Sequence, residues 1–224
     1  MTTAGREAGA GRPSLVVLIS GRGSNLQAIL DAIREGRLHA DVRAVISNNP
    51  DAPGLDRARR AGVAVEVIDH RHYPTRAAFD VELRQHIDRH SPTLVVLAGF
   101  MRILTDDFIR HFEGRLLNIH PSLLPDFPGL NTHTQALAAG AREHGATVHF
   151  VTPTVDAGPA VLQARVAVEP GDTPATLAER VLREEHRILP EAIGWFVAGR
   201  LTLRDGQALL DGRPVQTPAN RNLR

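Results

Sequence analysis

Two side chains that could do chemistry together, an amide and an imidazole, lie two positions apart at Asn118 and His120. They end an apolar run that begins at Leu116, and Pro121 follows directly. If the run is a β-strand, side chains at i and i+2 share a face, so Asn118 and His120 point the same way. Proline lacks an amide hydrogen and tends to end a strand. A neutral donor beside a titratable ring is suited to stabilise an oxyanion that develops during a reaction.

A second candidate is the glycine-rich segment 21–25, between a predicted strand and a predicted helix. Glycines let a ligand approach the backbone, and the free amides of a helix N-terminus attract phosphate. The dinucleotide pattern G-x-G-x-x-G is incomplete, because Leu26 stands at the third glycine position and residues 47–49 supply no acidic side chain. A single phosphate is therefore favoured over a dinucleotide. The alternative is a plain strand-to-helix turn with Ser24 as its cap.

A third candidate is Asp156, in segment 155–159 after a predicted strand. The sequence Asp-x-Gly-Pro is by itself typical of a turn. If adjacent strands bring Asp156 beside His120, the carboxylate would favour the charged form of the imidazole.

Other titratable residues are expected on solvated surface. Their spacing lacks the H-E-x-x-H pattern of a zinc-binding helix and gives no coherent cluster, so no metal site is expected. These residues are His70, His72, His86, His90, His144, His149 and the run Glu184, Glu185 and His186.

Alternating apolar strands and amphipathic helices must position the candidates. Segment 15–20 is a continuous apolar run, typical of a buried parallel strand. Segment 173–197 predicts a long helix with a Thr cap and Pro174 in its first turn. Further predicted strands are 42–47, 63–68, 93–98, 116–120, 147–151 and 161–168; further predicted helices are 26–33, 54–61, 76–89, 106–111 and 131–141; segments 201–203 and 208–210 predict a terminal hairpin.

This order of elements predicts an α/β fold, a single doubly wound, mainly parallel sheet with helices on both faces. One domain is expected over residues 13–204. Residues 1–12 are expected to form a disordered leader because they are small and polar. Residues 205–224 are expected to form a C-terminal hairpin and tail.

Composition limits the function further. The chain has 224 residues, 42% of them hydrophobic, and a net charge of +1, so a soluble protein with no electrostatic indication of nucleic-acid binding is expected. It contains no Cys and no Lys, which excludes thiolate and Schiff-base chemistry. No apolar run approaches the ~20 residues of a membrane span, and the polar N-terminus is unlike a secretory signal. A cytosolic protein is expected, and general frequency alone favours a homodimer.

Four segments match one family in order and spacing. They are 16–28 (VVLISGRGSNLQA), 97–104 (LAGFMRIL), 117–125 (LNIHPSLLP) and 148–158, which begins VHFV and ends DAG. Through them the chain resembles the phosphoribosylglycinamide formyltransferases, folate-dependent enzymes of purine synthesis, over most of its length.

The resemblance implies a reaction and a set of roles. A formyl group would pass from 10-formyltetrahydrofolate to the primary amine of phosphoribosylglycinamide, without a metal, and Asn118, His120 and Asp156 would form a catalytic trio. The ribonucleotide phosphate or its surroundings would be held by Gly23, Ser24, Asn25 and Leu26, with Glu185 near the glycinamide end. The folate slot would be lined by Arg76, Met101, Arg102, Ile103, Leu104, Asn118, Thr152, Pro153, Thr154, Val155 and Asp156.

One departure from the family and three rival hypotheses stay open. Leu182 stands where a polar or basic residue is expected near the phosphate, and Arg22 or Arg183 are candidate replacements. A formyltetrahydrofolate deformylase would use similar residues with water as acceptor, but would carry an extra N-terminal domain. A methionyl-tRNA formyltransferase would be longer and would have a basic extension. A non-catalytic nucleotide-binding module of Rossmann type would explain the glycine-rich segment but not the trio.

Overall fold

The computed structural model of the protein describes residues 11–215 and the backbone of residues 219–221. Residues 1–10 of the predicted leader, and residues 216–218 and 222–224 of the predicted tail, lie outside the described residues. The division into residues 1–12, 13–204 and 205–224 therefore stays a prediction.

Strands and helices alternate along the chain as the sequence predicts. The strands are β1 (Ser14–Ile19), β2 (Asp41–Ser47), β3 (Ala64–Val67), β4 (Leu94–Leu97), β5 (Leu116–His120), β6 (Glu143–Phe150), β7 (Ala160–Ala167), β8 (Leu201–Arg204), β9 (Gln207–Leu210), β10 (Arg213–Pro214) and β11 (Ala219–Arg221). The helices are α1 (Ser24–Arg34), α2 (Gly54–Arg60), α3 (Arg76–Arg89), α4 (Asp106–His111), α5 (Thr132–Ala138) and α6 (Pro174–Val197), with a 3-10 turn at His70–His72.

One eight-stranded sheet has the order β11-β7-β6-β5-β4-β1-β2-β3. Strands β3, β2, β1, β4 and β5 are parallel, whereas β6 runs antiparallel to both β5 and β7. Strand β11 is parallel to β7. Strands β8 to β10 form a small antiparallel sheet of their own. The predicted α/β class and mainly parallel sheet are confirmed.

Apolar side chains of β1 enter two separate cores, one on each face of the sheet. Leu15, Val17 and Ile19 belong to the core covered by α1, α2, α5 and α6. Val16 and Leu18 belong to the core covered by α3 and α4. Since side chains alternate along a strand, a strand buried on both faces needs a continuous apolar run. Fully burying each such side chain contributes about 1.5–3 kcal/mol, so both faces hold β1 in place.

The prediction for β6 is wrong at its start, because the strand begins at Glu143 and not at residue 147. Glu143, His144 and Gly145 lack an apolar alternation, yet β6 lies between two strands whose backbone groups pair with it. Gly145 is required there, since a Cβ atom would come within 1.9 Å of the Ala164 carbonyl oxygen. Helix α5 is shorter than the predicted segment 131–141.

The C-terminal part also differs in detail. The predicted hairpin is present as β8 and β9, and the predicted boundary between residues 204 and 205 falls in its turn. Strands β10 and β11 were not predicted. In α6 the predicted cap is confirmed, because the Thr173 hydroxyl accepts a hydrogen bond from the Thr176 amide and Pro174 is the first helical residue. Within the described residues, no helix is long and apolar enough to cross a membrane.

Candidate active site

Strands β5 and β6 place four polar side chains on one face of the sheet. Asn118 pairs with His149 and His120 pairs with Thr147 in the antiparallel register. Directly opposite residues share a face, and so do residues two positions apart in one strand. The alternate residues, such as Ile119, enter the core on the other face. The patch follows from the two-residue spacing of Asn118 and His120 together with the pairing of β5 and β6.

The His120 ring lies between two hydrogen-bond acceptors. Its Nε2 is 3.0 Å from the Phe127 carbonyl oxygen, and its Nδ1 is 3.4 Å from Asp156 Oδ2. The Phe127 carbonyl oxygen can only accept a hydrogen bond, so Nε2 carries an N–H and Nδ1 is the ring nitrogen that faces the Asp156 carboxylate.

Asp156 joins two loops at the site. Its Oδ2 accepts a hydrogen bond of 2.8 Å from the Gly129 amide, and its Oδ1 is 3.8 Å from His149 Nε2. The backbone of Asp156 is left-handed, with φ of 52°, a conformation that Asp tolerates better than most residues. Gly158 allows the loop to return close to β6, because a Cβ atom there would lie 1.8 Å from the Phe150 carbonyl oxygen.

His149 orients the amide of Asn118. Its Nδ1 donates to the Phe150 carbonyl oxygen over 2.9 Å, which leaves Nε2 to accept a 3.1 Å hydrogen bond from Asn118 Nδ2. Burial lowers the pKa of His149, so the ring is neutral and keeps its acceptor at neutral pH. One hydrogen of the Asn118 amide is thus engaged, and the second is available to a ligand.

The segment 121–131 is tied to the sheet beneath it. The Thr147 hydroxyl accepts from the Leu124 amide and donates to the Ser122 carbonyl oxygen. The Gln163 amide donates to the Leu124 carbonyl oxygen and to the same hydroxyl. These buried hydrogen bonds fix the segment that supplies the Phe127 carbonyl oxygen to His120.

The glycine-rich segment forms the turn before α1. Gly23 has φ of 67°, and a Cβ atom on it would lie 2.6 Å from Gly54 Cα, so both the conformation and the packing require glycine. Within the described part of the chain, no side chain caps α1 and no acidic residue lies in its first turn. Its first amide groups are therefore free for an anion. A surface cavity of about 350 Å³ opens here, with Ser24, Arg57 and His186 in its lining.

A buried polar pair lies behind this turn. Asn25 Nδ2 donates to Glu185 Oε2 over 2.6 Å, across 160 positions of sequence. Burial raises the pKa of Glu185, and the hydrogen bond from Asn25 opposes that shift. Asn25 Oδ1 has no partner among the described residues. Two buried polar groups with unused hydrogen-bonding capacity are typical of a binding site.

The residues predicted for the folate slot lie in two partly exposed stretches, 101–104 and 152–156, and at two separate positions, Arg76 and Asn118; Leu104 is buried. Met101 and Ile103 are 63% and 57% exposed after β4, and Val155 is exposed beside Asp156. Arg76 is exposed at the first residue of α3. The remaining members are Arg102, Leu104, Thr152, Pro153 and Thr154. Their roles toward a folate stay predictions.

The expectation of solvated surface is wrong for several residues. His144 and His149 are 0% and 2% exposed, because Phe127 and His133 contact the first ring and Asn118 and Asp156 contact the second. Glu184 is buried against Arg187, Glu185 is also buried, and His186 is partly buried. His86 and His90 are half buried and contact Glu66, and His70 contacts Asn48, whereas His72 is exposed as expected. Among the described residues, no group of three or more acidic, His or Cys side chains is arranged to hold a metal.

Comparison with known proteins shows which class of enzyme the chain belongs to. The profile of the formyl transferase family matches residues 14–193. The fold and the site thus belong to a class of enzymes that move one-carbon formyl groups.

Individual relatives show which formyl transferases the chain resembles in sequence and structure. The chain is 53% identical over 200 residues to phosphoribosylglycinamide formyltransferase of Escherichia coli K12, an alignment that covers 89% of this chain and 94% of the relative. A solved phosphoribosylglycinamide formyltransferase from Coxiella burnetii superposes with a TM-score of 0.91 at 50% identity, covering 94% of this chain and 100% of that one. A solved formyltetrahydrofolate deformylase from Pseudomonas putida KT2440 gives 0.80 at 29% identity, covering 89% and 70%. The chain therefore belongs to the formyl transferase family, and within it to the phosphoribosylglycinamide formyltransferases.

Proposed function

We propose that this protein transfers the formyl group of 10-formyltetrahydrofolate to the primary amine of 5′-phosphoribosylglycinamide, in purine synthesis. The observation that carries the proposal is the convergence of Asn118, His120 and Asp156, with Asp156 Oδ2 3.4 Å from the His120 ring. Asn118 and His120 on β5, together with Asp156 from a loop 36 positions beyond His120, supply an amide donor, an imidazole and a carboxylate to one small region. Amine attack on a formyl group needs this combination.

The first chemical step is attack of the amine on the formyl carbon. A C–N bond forms and the carbonyl electrons move onto oxygen, which gives a tetrahedral oxyanion. The free hydrogen of the Asn118 amide donates to it. His120 donates from Nδ1, because its 3.4 Å contact with Asp156 is longer than an ordinary hydrogen bond and leaves that N–H accessible. Donors fixed before the reaction stabilise the developing charge.

The second step is collapse of the intermediate. The bond from the formyl carbon to N10 of the folate breaks, and N10 takes a proton. The attacking amine loses a proton, which His120 relays directly or through a water held by Asp156. Asp156 also balances the charge of the imidazolium ring. No step calls for a metal ion.

The two substrates bind in two other regions of the site, the ribonucleotide at the turn before α1 and the folate along segments 101–104 and 152–156. The free amides of Gly23, Ser24, Asn25 and Leu26 hold the ribonucleotide phosphate or its surroundings, and Glu185 contacts the same substrate. Leu182 provides no charge for the phosphate. Arg57 supplies the positive charge instead. Its Nε donates to the Arg22 carbonyl oxygen and its Nη1 to Gln27, and these two hydrogen bonds hold the guanidinium group beside the turn. The exposed apolar residues of 101–104 and 152–156, with Arg76, bind the folate.

The test is a donor-loss assay on the purified full-length protein. With phosphoribosylglycinamide and a 10-formyl folate, we expect loss of the formyl donor and formation of formylated ribonucleotide in equal amounts. Donor without ribonucleotide should remain stable. Absence of turnover with both substrates would contradict the proposal and favour a binding module.

Hydrolysis of the donor is the second candidate, favoured by the structural similarity to a deformylase. The lower identity and the smaller covered share of that protein, compared with the Escherichia coli relative, support transfer over hydrolysis. Donor consumption without ribonucleotide, with release of formate, would identify a deformylase instead. Cytosolic location, homodimerisation and the absence of nucleic-acid or membrane partners stay predictions.

A further inference from the structure

The segment 101–104 carries exposed apolar side chains, and side chains from other elements hold its backbone at both ends. The loop around it follows β4 at Gly99, a residue with φ of 78°, and leads to Thr105, the residue before α4. Met101 and Ile103 are more than half exposed, so burial of their own side chains does little to fix them, whereas Leu104 is buried in the core covered by α3 and α4. A binding surface of this kind needs its backbone held by other elements.

The first end of the segment is held by Ser20, which directly follows β1. The Met101 amide donates to Ser20 Oγ over 2.7 Å, and the Ser20 amide donates to the Gly99 carbonyl oxygen. The Ser20 hydroxyl in turn donates to Asn48 Oδ1, and Asn48 contacts His70. The loop is thereby fixed to the ends of two central strands.

The second end is held by Asp80, on helix α3. The Thr105 amide donates to Asp80 Oδ2 over 2.6 Å, and the Asp80 residue is only 3% exposed. Its Oδ1 has no partner in the described part of the chain, nor does a described Arg or His form an ion pair with Asp80. A buried carboxylate with a single amide partner is costly to keep, so its position calls for an explanation beyond packing.

We propose that Ser20 and Asp80 are positioning residues for the formyl donor, each accepting the backbone amide at one end of segment 101–104. This inference rests on the proposed function, because the segment lines the donor side of the same site. Neither residue touches the reacting atoms. Together they fix the backbone between the Met101 and Thr105 amides. A folate therefore binds to a preformed surface, and binding costs less conformational entropy.

The experiment compares substrate dependence in variants at both anchors. Asp80→Leu removes the acceptor, and we expect the KM for 10-formyltetrahydrofolate to rise about tenfold while the KM for the ribonucleotide stays within twofold. Asp80→Asn keeps an acceptor oxygen and should restore a donor KM close to that of the wild type. Ser20→Ala should raise the donor KM about threefold, and Ser20→Thr should not. Asp107→Ala, an exposed change two residues from Thr105, is the matched control and should change neither constant.

A merely structural role would give a different result. Equal rises of both KM values, or a fall in kcat with both KM values unchanged, would overturn the proposal. So would failure of Asp80→Asn to restore donor binding. If Asp80→Leu does not fold, the two Ser20 variants and Asp80→Asn carry the same comparison.

Amide hydrogen exchange separates this inference from the proposed function. We expect faster exchange at Thr105 in Asp80→Leu and at Met101 in Ser20→Ala, with no change at Gly129. Wild-type protein without formyl transfer would defeat the proposed function while these exchange rates still report on the anchors. Wild-type protein with normal transfer, and variants with unchanged donor KM, would defeat the present inference alone.

Discussion

Two segments near the proposed catalytic trio of Asn118, His120 and Asp156 are held in opposite ways. Segment 121–131 is hydrogen-bonded at Ser122 and Leu124 to the buried side chains of Thr147 on β6 and Gln163 on β7, and its later residues are bonded to His120 and Asp156. Segment 101–104 is held at its ends and leaves Met101 and Ile103 uncovered. Chemistry requires donors fixed to within a fraction of an ångström, whereas recognition of a flat apolar ligand requires uncovered apolar surface. Changes in the first segment and its partners should therefore affect kcat or stability, and changes in the second should affect KM.

The largest effect is expected at the trio itself. His120→Ala removes the ring, and Asp156→Asn removes the charge while keeping a residue that tolerates the left-handed backbone. We expect each to lower kcat by about 10³-fold with an unchanged circular dichroism spectrum. Activity close to that of the wild type in either purified variant would contradict the mechanism.

The next effect concerns the residue that orients Asn118. His149→Phe keeps an aromatic ring but removes the Nε2 acceptor of the 3.1 Å hydrogen bond from Asn118. We expect kcat to fall by about 10- to 100-fold, with both KM values nearly unchanged. Steady-state kinetics checks this, and His39→Phe at an exposed position is the control. A change confined to KM would show that His149 acts on binding instead.

A smaller effect is expected on stability when the ties of segment 121–131 are cut. Thr147→Val is close in shape but loses the hydroxyl shared by Ser122, Leu124 and Gln163. Buried partners are left unpaired, so the free energy of unfolding should fall by about 1–3 kcal/mol. Urea denaturation measures the loss, with Thr202→Val on β8 as the control. Equal stabilities would mean that water replaces the hydroxyl.

Low pH should also reduce the stability of the protein through His144, which contacts segment 121–131. Burial, aided by His133 and His120, lowers the pKa of His144 to about 4, and the His144 ring packs on Phe127. Between the ordinary pKa of 6.5 and about 4, the unfolded chain binds a proton that the folded chain does not. Stability should therefore fall as pH falls, by about 1 kcal/mol from pH 7 to 5.5 for this group. His144→Gln should make the melting temperature less dependent on pH across that range; an unaltered dependence would exclude His144 as its source.

The smallest effect on stability is expected for changes in segment 101–104. Met101→Ser removes apolar surface that is already mostly exposed, so the free energy of unfolding should change by no more than about 0.5 kcal/mol. The donor KM should rise about threefold through lost apolar contact. Val81→Ser, on the exposed side of α3, should leave the donor KM unchanged. A destabilised Met101→Ser variant would remove the contrast between the two segments.

Much of the fold could be predicted because its causes are local. A continuous apolar run such as β1 follows from burial on both faces, and helix α3 has its predicted bounds because Phe79, Leu83 and Ile87 repeat at helical spacing. The start of β6 was missed because Glu143 and Gly145 carry no such local pattern. Their conformation depends on the strands on either side.

The same division runs through the site. The sequence by itself determined that Asn118 and His120 share a face, because two residues of spacing in a strand allow nothing else, and that a glycine-rich turn precedes a helix. Only the tertiary structure decided that His149 lies opposite Asn118, that Asp156 reaches the His120 ring, and that Asn25 meets Glu185 across 160 positions. Strand register, loop return and burial depend on how distant segments pack together, and no spacing within one segment records that.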